Sequence, residues 1–159
     1  MDPKTKKETL RMLSNGMYVV TSRNGGNYGA ATITWLSQVS FKPPLIMVAV
    51  RTESNLFKCM SKSRVAGVNI IGFNQQEIAQ KFLSTTQHSP GVINDEPYRD
   101  GKTSVPILVN VPAYVECEVR EIHEGLGDHA VVVLEVVDAG LRDRVRPLTI
   151  ADSPWEYGG

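Results

Sequence analysis

Three short stretches carry side chains able to do chemistry. The first is Thr32, Thr34, Ser37, Gln38 and Ser40, a run of hydroxyl and amide donors. On a strand and its exit loop, such donors and the adjacent backbone N–H groups can edge a polar heterocycle. Taken alone they also fit an exposed strand face, because threonine is simply a good β-former. The second stretch is Arg51-Thr52-Glu53-Ser54-Asn55-Leu56-Phe57-Lys58. It reads as the end of a strand followed by the start of a helix. Free N–H groups at a helix N-terminus attract anions. Arg51, Ser54, Asn55 and Lys58 can add cationic, hydroxyl and amide donors for a phosphate; without a ligand, the same residues make an ordinary capped helix. The third stretch is Gly127-Asp128-His129, leading into an apolar run. A histidine at the mouth of a strand can donate to an anion or titrate near neutral pH.

The elements that must position these residues are mostly strands. Met17 to Ser22 is rich in β-formers, and Arg23 to Asn27 is a glycine- and asparagine-rich hairpin loop. Tyr28 to Leu36 then reads as the return strand. Pro43-Pro44 breaks the chain and launches a third strand, Leu45 to Val50. Ser54 can cap a helix from about Asn55 to Ser61. Val65 to Ile71 is another strand, and Gln75 to Leu83 has helical spacing, with Asn74 as its cap. A further short helix is expected over Thr5 to Leu13. His88 to Lys102 is polar and too long for an ordinary connection, which suggests a lid or binding loop. Val115 to Ile122 and Ala130 to Val137 form an expected antiparallel pair, with Glu116, Glu118 and Arg120 facing outward. A weak strand is expected around Leu148 to Ile150. Regular βα alternation is missing, which argues for an antiparallel barrel with helices at its rim.

The 159 residues suit a single domain, and 42% hydrophobic with 21% charged residues is ordinary globular composition. Seventeen basic residues balance seventeen acidic ones, so the formal net charge is zero. No clustered cationic surface points to nucleic acid. The apolar runs are far shorter than the roughly 18 residues that span a bilayer. A cytoplasmic protein is the expectation. Cys59 and Cys117 form no CxxC pair and read as buried free thiols. His88, His123 and His129 lack metal-ligand spacing, so no metal is expected. No GxGxxG, P-loop, HExxH or GxSxG motif is present. A phosphate-bearing ligand must therefore be held by scattered donors.

In their order along the chain, several segments resemble the flavin reductase-like family with its FMN-binding split barrel. They are Gly16 to Ser22, Ala31 to Phe41, Pro43-Pro44-Leu45, Val68 to Ile71, Gln76 to Phe82 and Gly127-Asp128-His129. The likeness covers about Leu13 to Leu148, inside a single domain spanning 1–159. It departs from the common pattern at Leu134, where many members have glycine before the glutamate, and at Arg51, where asparagine is frequent. The resemblance implies a mainly β fold: a Greek-key antiparallel split β-barrel of roughly six strands with short flanking helices. It implies a homodimer, FMN (or FAD) as cofactor, and NADH or NADPH as electron donor. Reduced flavin would serve a monooxygenase or a redox partner protein. By resemblance, Thr32, Thr34, Trp35, Ser37, Gln38, Val39 and Ser40 lie along the isoalloxazine and ribityl chain. Arg51, Ser54, Asn55 and Lys58 meet the phosphate, and His129 positions the nicotinamide. An FMN-binding electron carrier without a nicotinamide site is the alternative; a relative holding haem or pyridoxal phosphate is a weaker one.

Overall fold

A computed structural model describes residues 1–159. Three helices, α1 (Pro3–Leu10), α2 (Asn55–Ser63) and α3 (Gln76–Lys81), flank eleven strands. The main strands are β1 (Tyr18–Asn24), β2 (Asn27–Ile33), β3 (Leu36–Ser40), β4 (Leu45–Arg51) and β5 (Val65–Ile70). Four short ones follow: β6 (His88–Ser89), β7 (Val92–Ile93), β8 (Glu96–Asp100) and β9 (Pro106–Leu108). The longest pair, β10 (Ala113–His123) and β11 (His129–Leu141), closes the order. No helix is long and apolar enough to cross a membrane.

Seven strands form one antiparallel sheet in the order β2-β1-β5-β10-β11-β4-β3. Its two edges, β2 and β3, are consecutive in sequence and separated only by Thr34-Trp35. Laid flat, the edges would stand roughly 29 Å apart at about 4.8 Å per strand. The link from Ile33 to Leu36 reaches roughly 11 Å at most. The sheet must therefore curl until its edges nearly meet, which makes a barrel with a seam at Thr34-Trp35.

Alternation along β1 divides the core. Val20 points into a cluster with Val48, Leu56, Met60, Val68, Cys117, Val132 and Leu134. Its neighbour Val19 joins Met17, Ile71, Ile78, Phe82, Ile93 and Leu148 on the other side. Helix α2 packs directly onto β2 because Gly29 has no side chain. A Cβ there would lie 2.6 Å from the Asn55 carbonyl oxygen and 2.6 Å from the Leu56 Cα. Ser54 caps α2, accepting from the Phe57 N–H at 3.1 Å. Both cysteines are buried and unpaired, and burial pushes the Cys117 thiol up to about 12, so it is chemically quiet.

Several sequence expectations need correction. The return strand stops at Ile33, and Leu36–Ser40 forms the separate strand β3. Pairing β3 with β4 requires a turn away from β1, which a continuous strand to Leu36 could not make. Glu116 does not face outward: it is fully buried. A register shift between Glu116 and Cys117 breaks the simple alternation there. Its carboxylate accepts from the Lys102 N–H at 3.1 Å and from the Thr103 N–H and Oγ1, both at 2.8 Å. The 88–102 segment is not structureless, because β6 to β9 form a small sheet. The first helix runs Pro3–Leu10, and α3 begins after Gln75 without a side-chain cap. Around Leu148 to Ile150 the chain makes only two isolated bridges, Gly16 with Thr149 and Gly72 with Pro147, and a 3-10 turn over Ile150–Asp152.

Candidate functional site

A cavity of about 330 Å³ opens at the barrel seam. Thr32, Thr34 and Trp35 reach it from the seam, Arg51 and Ser54 from the β4–α2 junction, and His129 from the start of β11. Strand pairing explains how two distant stretches meet, since Arg51 stands directly opposite His129 across the β4–β11 ladder. The free edge of β2 is covered by the segment after α3. Thr32 N–H donates to the Phe82 carbonyl at 3.0 Å, and Ala30 N–H donates to Thr86 Oγ1 at 3.1 Å. That segment brings Phe82 and Leu83 to the wall.

The polar groups in this wall differ in availability. Thr32 Oγ1 is committed, donating to the Ala79 carbonyl at 2.6 Å. Ser54 Oγ is committed too, donating to the Arg51 carbonyl at 2.7 Å while it caps α2. Thr34 Oγ1 is buried with no hydrogen-bond partner, the single such side-chain atom in the protein. A buried hydroxyl left unpaired costs about 1–3 kcal/mol, so its persistence in the wall of this cavity points to a ligand acceptor.

The aromatic groups form a compact set. Trp35 lies 4.9 Å from the His129 ring and 5.1 Å from the Tyr157 ring, centroid to centroid. The His129 side chain is only 12% exposed. Its Nδ1 lies 2.7 Å from Asp128 Oδ1, and its Nε2 lies 3.3 Å from the Tyr157 hydroxyl. The His129 imidazole holds the Asp128 carboxyl below the usual carboxylate range. The Tyr157 hydroxyl, and behind it Asp128 and Glu53, raise the Arg51 guanidinium above its ordinary value. The tail bearing Tyr157 is fastened by Arg11, whose Nε donates to the Gly158 carbonyl at 3.1 Å and whose guanidinium pairs with Glu156.

The structure thus gathers Thr32, Thr34, Trp35, Arg51, Ser54 and His129 around one cavity. It puts Ser37, Gln38, Val39 and Ser40 on β3, away from that cavity, and Asn55 and Lys58 on an adjoining cleft. Sequence reasoning missed Met17, Phe82, Trp155 and Tyr157 as lining residues. The one available signal was the aromatic density of the tail, Trp155 and Tyr157 within three residues. A largely apolar slot with an orphaned donor on its wall and Arg51 in its lining, its one carboxylate, Glu156, being paired with Arg11, fits a flat heteroaromatic ring carrying an anionic arm.

The sequence profile described as "Flavin reductase like domain" matches residues 10–156, and the chain belongs to that family. The protein named "Probable flavin reductase" from Rhizobium meliloti is 24% identical over 133 residues, 83% of this chain. This chain spans only 42% of that relative's length. Reductase subunit HsaB of a flavin-dependent monooxygenase from Mycobacterium tuberculosis is 24% identical over the whole chain and 83% of its own. The crystal structure of a flavin reductase domain protein from Arthrobacter sp. FB24 superposes with a TM-score of 0.81 at 25% identity, covering 93% of this chain and 90% of that one. The mainly antiparallel β fold expected from sequence is the fold observed.

Proposed function

We propose that this chain is an NAD(P)H:flavin oxidoreductase that carries FMN, or the FMN half of FAD, in the seam cavity. The observation that carries the reading is the unpartnered, buried Thr34 hydroxyl beside Trp35 and Arg51. Bound flavin supplies the two-electron redox chemistry. The protein's own residues bind and orient. Thr34 Oγ1 would donate to an acceptor on the bound ring, Trp35 would offer an apolar face, and Arg51 would offset the charge of the anionic arm. Phe82 and Met17 exclude water from the slot. With Nδ1–H donated to Asp128, His129 Nε2 faces the Tyr157 hydroxyl, and a nicotinamide would take that position only by displacing Tyr157. No side chain needs to act as an acid or base.

The test is the absorption spectrum of the protein after incubation with FMN or FAD and removal of excess, followed by anaerobic titration with NADH and NADPH. Two visible flavin bands that bleach with the nicotinamide are expected; a colourless protein ends this reading. A carrier without its own nicotinamide site is the competing reading, and Tyr157, lying against His129, favours it. Steady-state NADH and NADPH oxidation with added FMN separates the two. His129→Ala is expected to raise the KM for the nicotinamide about tenfold, with FMN affinity unchanged. A loss of FMN affinity alone would remove His129 from that role.

The reduced flavin would go to a separate acceptor in the cytoplasm, either a monooxygenase or a small redox protein. The reductase-subunit relative supports the first of these. A second copy of the chain would cover the β3–β4 edge, where Phe41 is 88%, Val39 51% and Met47 40% exposed. Exposed apolar side chains along one sheet edge suit an interaction surface, and sedimentation equilibrium reads the dimer directly.

A further inference from the structure

Residues 155–159 lie against the seam cavity yet belong to no helix or strand. None of their backbone groups bonds to another backbone group, and none of the five residues is buried. Side chains hold the segment instead. Ser153 Oγ accepts from the Trp155 N–H at 3.2 Å, a local turn contact. Arg11, the residue after α1, ties down both Glu156 and Gly158. The Glu156 side chain is 74% exposed, and an exposed ion pair is a weak tie. The Tyr157 hydroxyl meets His129 Nε2 at 3.3 Å, longer than a good hydrogen bond. Few buried contacts and few backbone bonds are what a segment that opens at low cost looks like.

This segment fills space that a second ring would need. The seam cavity, at about 330 Å³, stands at the lower end of the roughly 300–1,000 Å³ of ligand pockets. That suits one ring system, not a flavin with a nicotinamide stacked upon it. Tyr157 lies beside Trp35 and against His129, and a Cβ on Gly158 would lie 3.6 Å from Trp35 Cζ2. Trp155, Glu156 and Tyr157 also border a wider cavity of about 710 Å³, which has Arg11 in its lining. Arg11 itself does not line the seam cavity. It can therefore govern that cavity only through the segment it fastens.

We propose that residues 155–159 form a displaceable cover over the nicotinamide position, and that Arg11 is the positioning residue that latches it shut. The inference rests on the reductase reading above, and it gives the Tyr157–His129 contact to the closed state of that reductase. The apparent affinity for the nicotinamide is lowered in proportion to the fraction of molecules that stand closed. Loosening the latch should therefore lower KM. The test compares the wild type with Arg11→Ala, Arg11→Lys, Tyr157→Ala and the double variant Arg11→Ala/Tyr157→Ala. Helix α1 buries no residue, so changes at Arg11 should leave the fold intact. In steady-state kinetics with NADH and NADPH, Arg11→Ala should lower KM about fivefold with kcat within about twofold. Arg11→Lys, which keeps the charge but not the planar fork, should fall between. Tyr157→Ala should lower KM about tenfold, and the double variant no further, because both changes act on one displacement. FMN affinity of Arg11→Ala should stay within about twofold. In the flavin-free proteins, Arg11→Ala should shift tryptophan emission to longer wavelength as Trp35 loses its cover. An unchanged or raised KM in Arg11→Ala, additive effects in the double variant, or unshifted emission overturns the cover and leaves the reductase reading standing. A set of proteins that all bind FMN but never oxidise a nicotinamide brings down the reductase reading, and the cover with it.

Discussion

Replacing Thr34 with valine is expected to make the ligand-free protein more stable and the flavin complex weaker. The native hydroxyl is buried and unpaired, so folding leaves its hydrogen-bonding capacity unused. Valine keeps nearly the same shape and removes that penalty. A gain of about 1–2 kcal/mol follows, which for a chain of this size is a rise in Tm of roughly 2–6 °C. If the hydroxyl donates to the flavin edge, its loss should weaken binding about tenfold. Calorimetry of the free protein and flavin titration of the same sample read the two effects together. The opposed signs are what matter. A variant that melts lower and binds as before would mean that Thr34 is an ordinary wall residue whose partner is a water molecule.

Gly29→Ala is expected to strike both stability and binding. The new methyl would sit 2.6 Å from the Asn55 carbonyl oxygen, 2.6 Å from the Leu56 Cα and 2.7 Å from the Leu56 N. All three are backbone atoms that no side-chain rotation can move aside. Relief requires α2 to lift from β2, which disturbs the Leu56, Phe57 and Met60 packing beneath it. Overpacking of this kind costs about 2–3 kcal/mol, or roughly 5–10 °C in Tm. The lifted helix would also carry Ser54 away from the seam cavity it lines, so flavin affinity should fall in the protein that remains folded. Native melting with wild-type flavin affinity would show that the helix can shift without cost to the site.

Much of this architecture could be read from local chemistry. Ser54 before an apolar helix, the Asn-Gly-Gly hairpin and the alternating β10–β11 pair all encode their structure within a few residues, and all three are found. What could not be read depends on contacts distant in sequence. The break at Thr34-Trp35 exists because β3 pairs with β4 rather than continuing β2. Glu116 looks like one of three outward charges until a register shift turns it inward toward Lys102 and Thr103. The strands β6 and β7 are two residues long, too short to express any period. At the site, the cationic and histidine members were visible as residue types, but their meeting depends on the Arg51–His129 register. Tyr157 arrives only because Arg11 fastens the tail, and no spacing rule connects those two positions.

The two-residue link between the outermost strands has a consequence for how a ligand and the fold depend on each other. Thr34 and Trp35 are at once the hinge pin of the curled sheet and part of the wall that a guest would touch. A molecule lodged there touches the end of β2, the link itself and the end of β4, so it acts as a rivet across the seam. Its free energy of binding then adds to that of folding. Amide hydrogens of Asn27–Ile33 and Leu45–Arg51 should become the most slowly exchanging of the newly protected positions when the guest is in place, ahead of those on the opposite wall at β5 and β10.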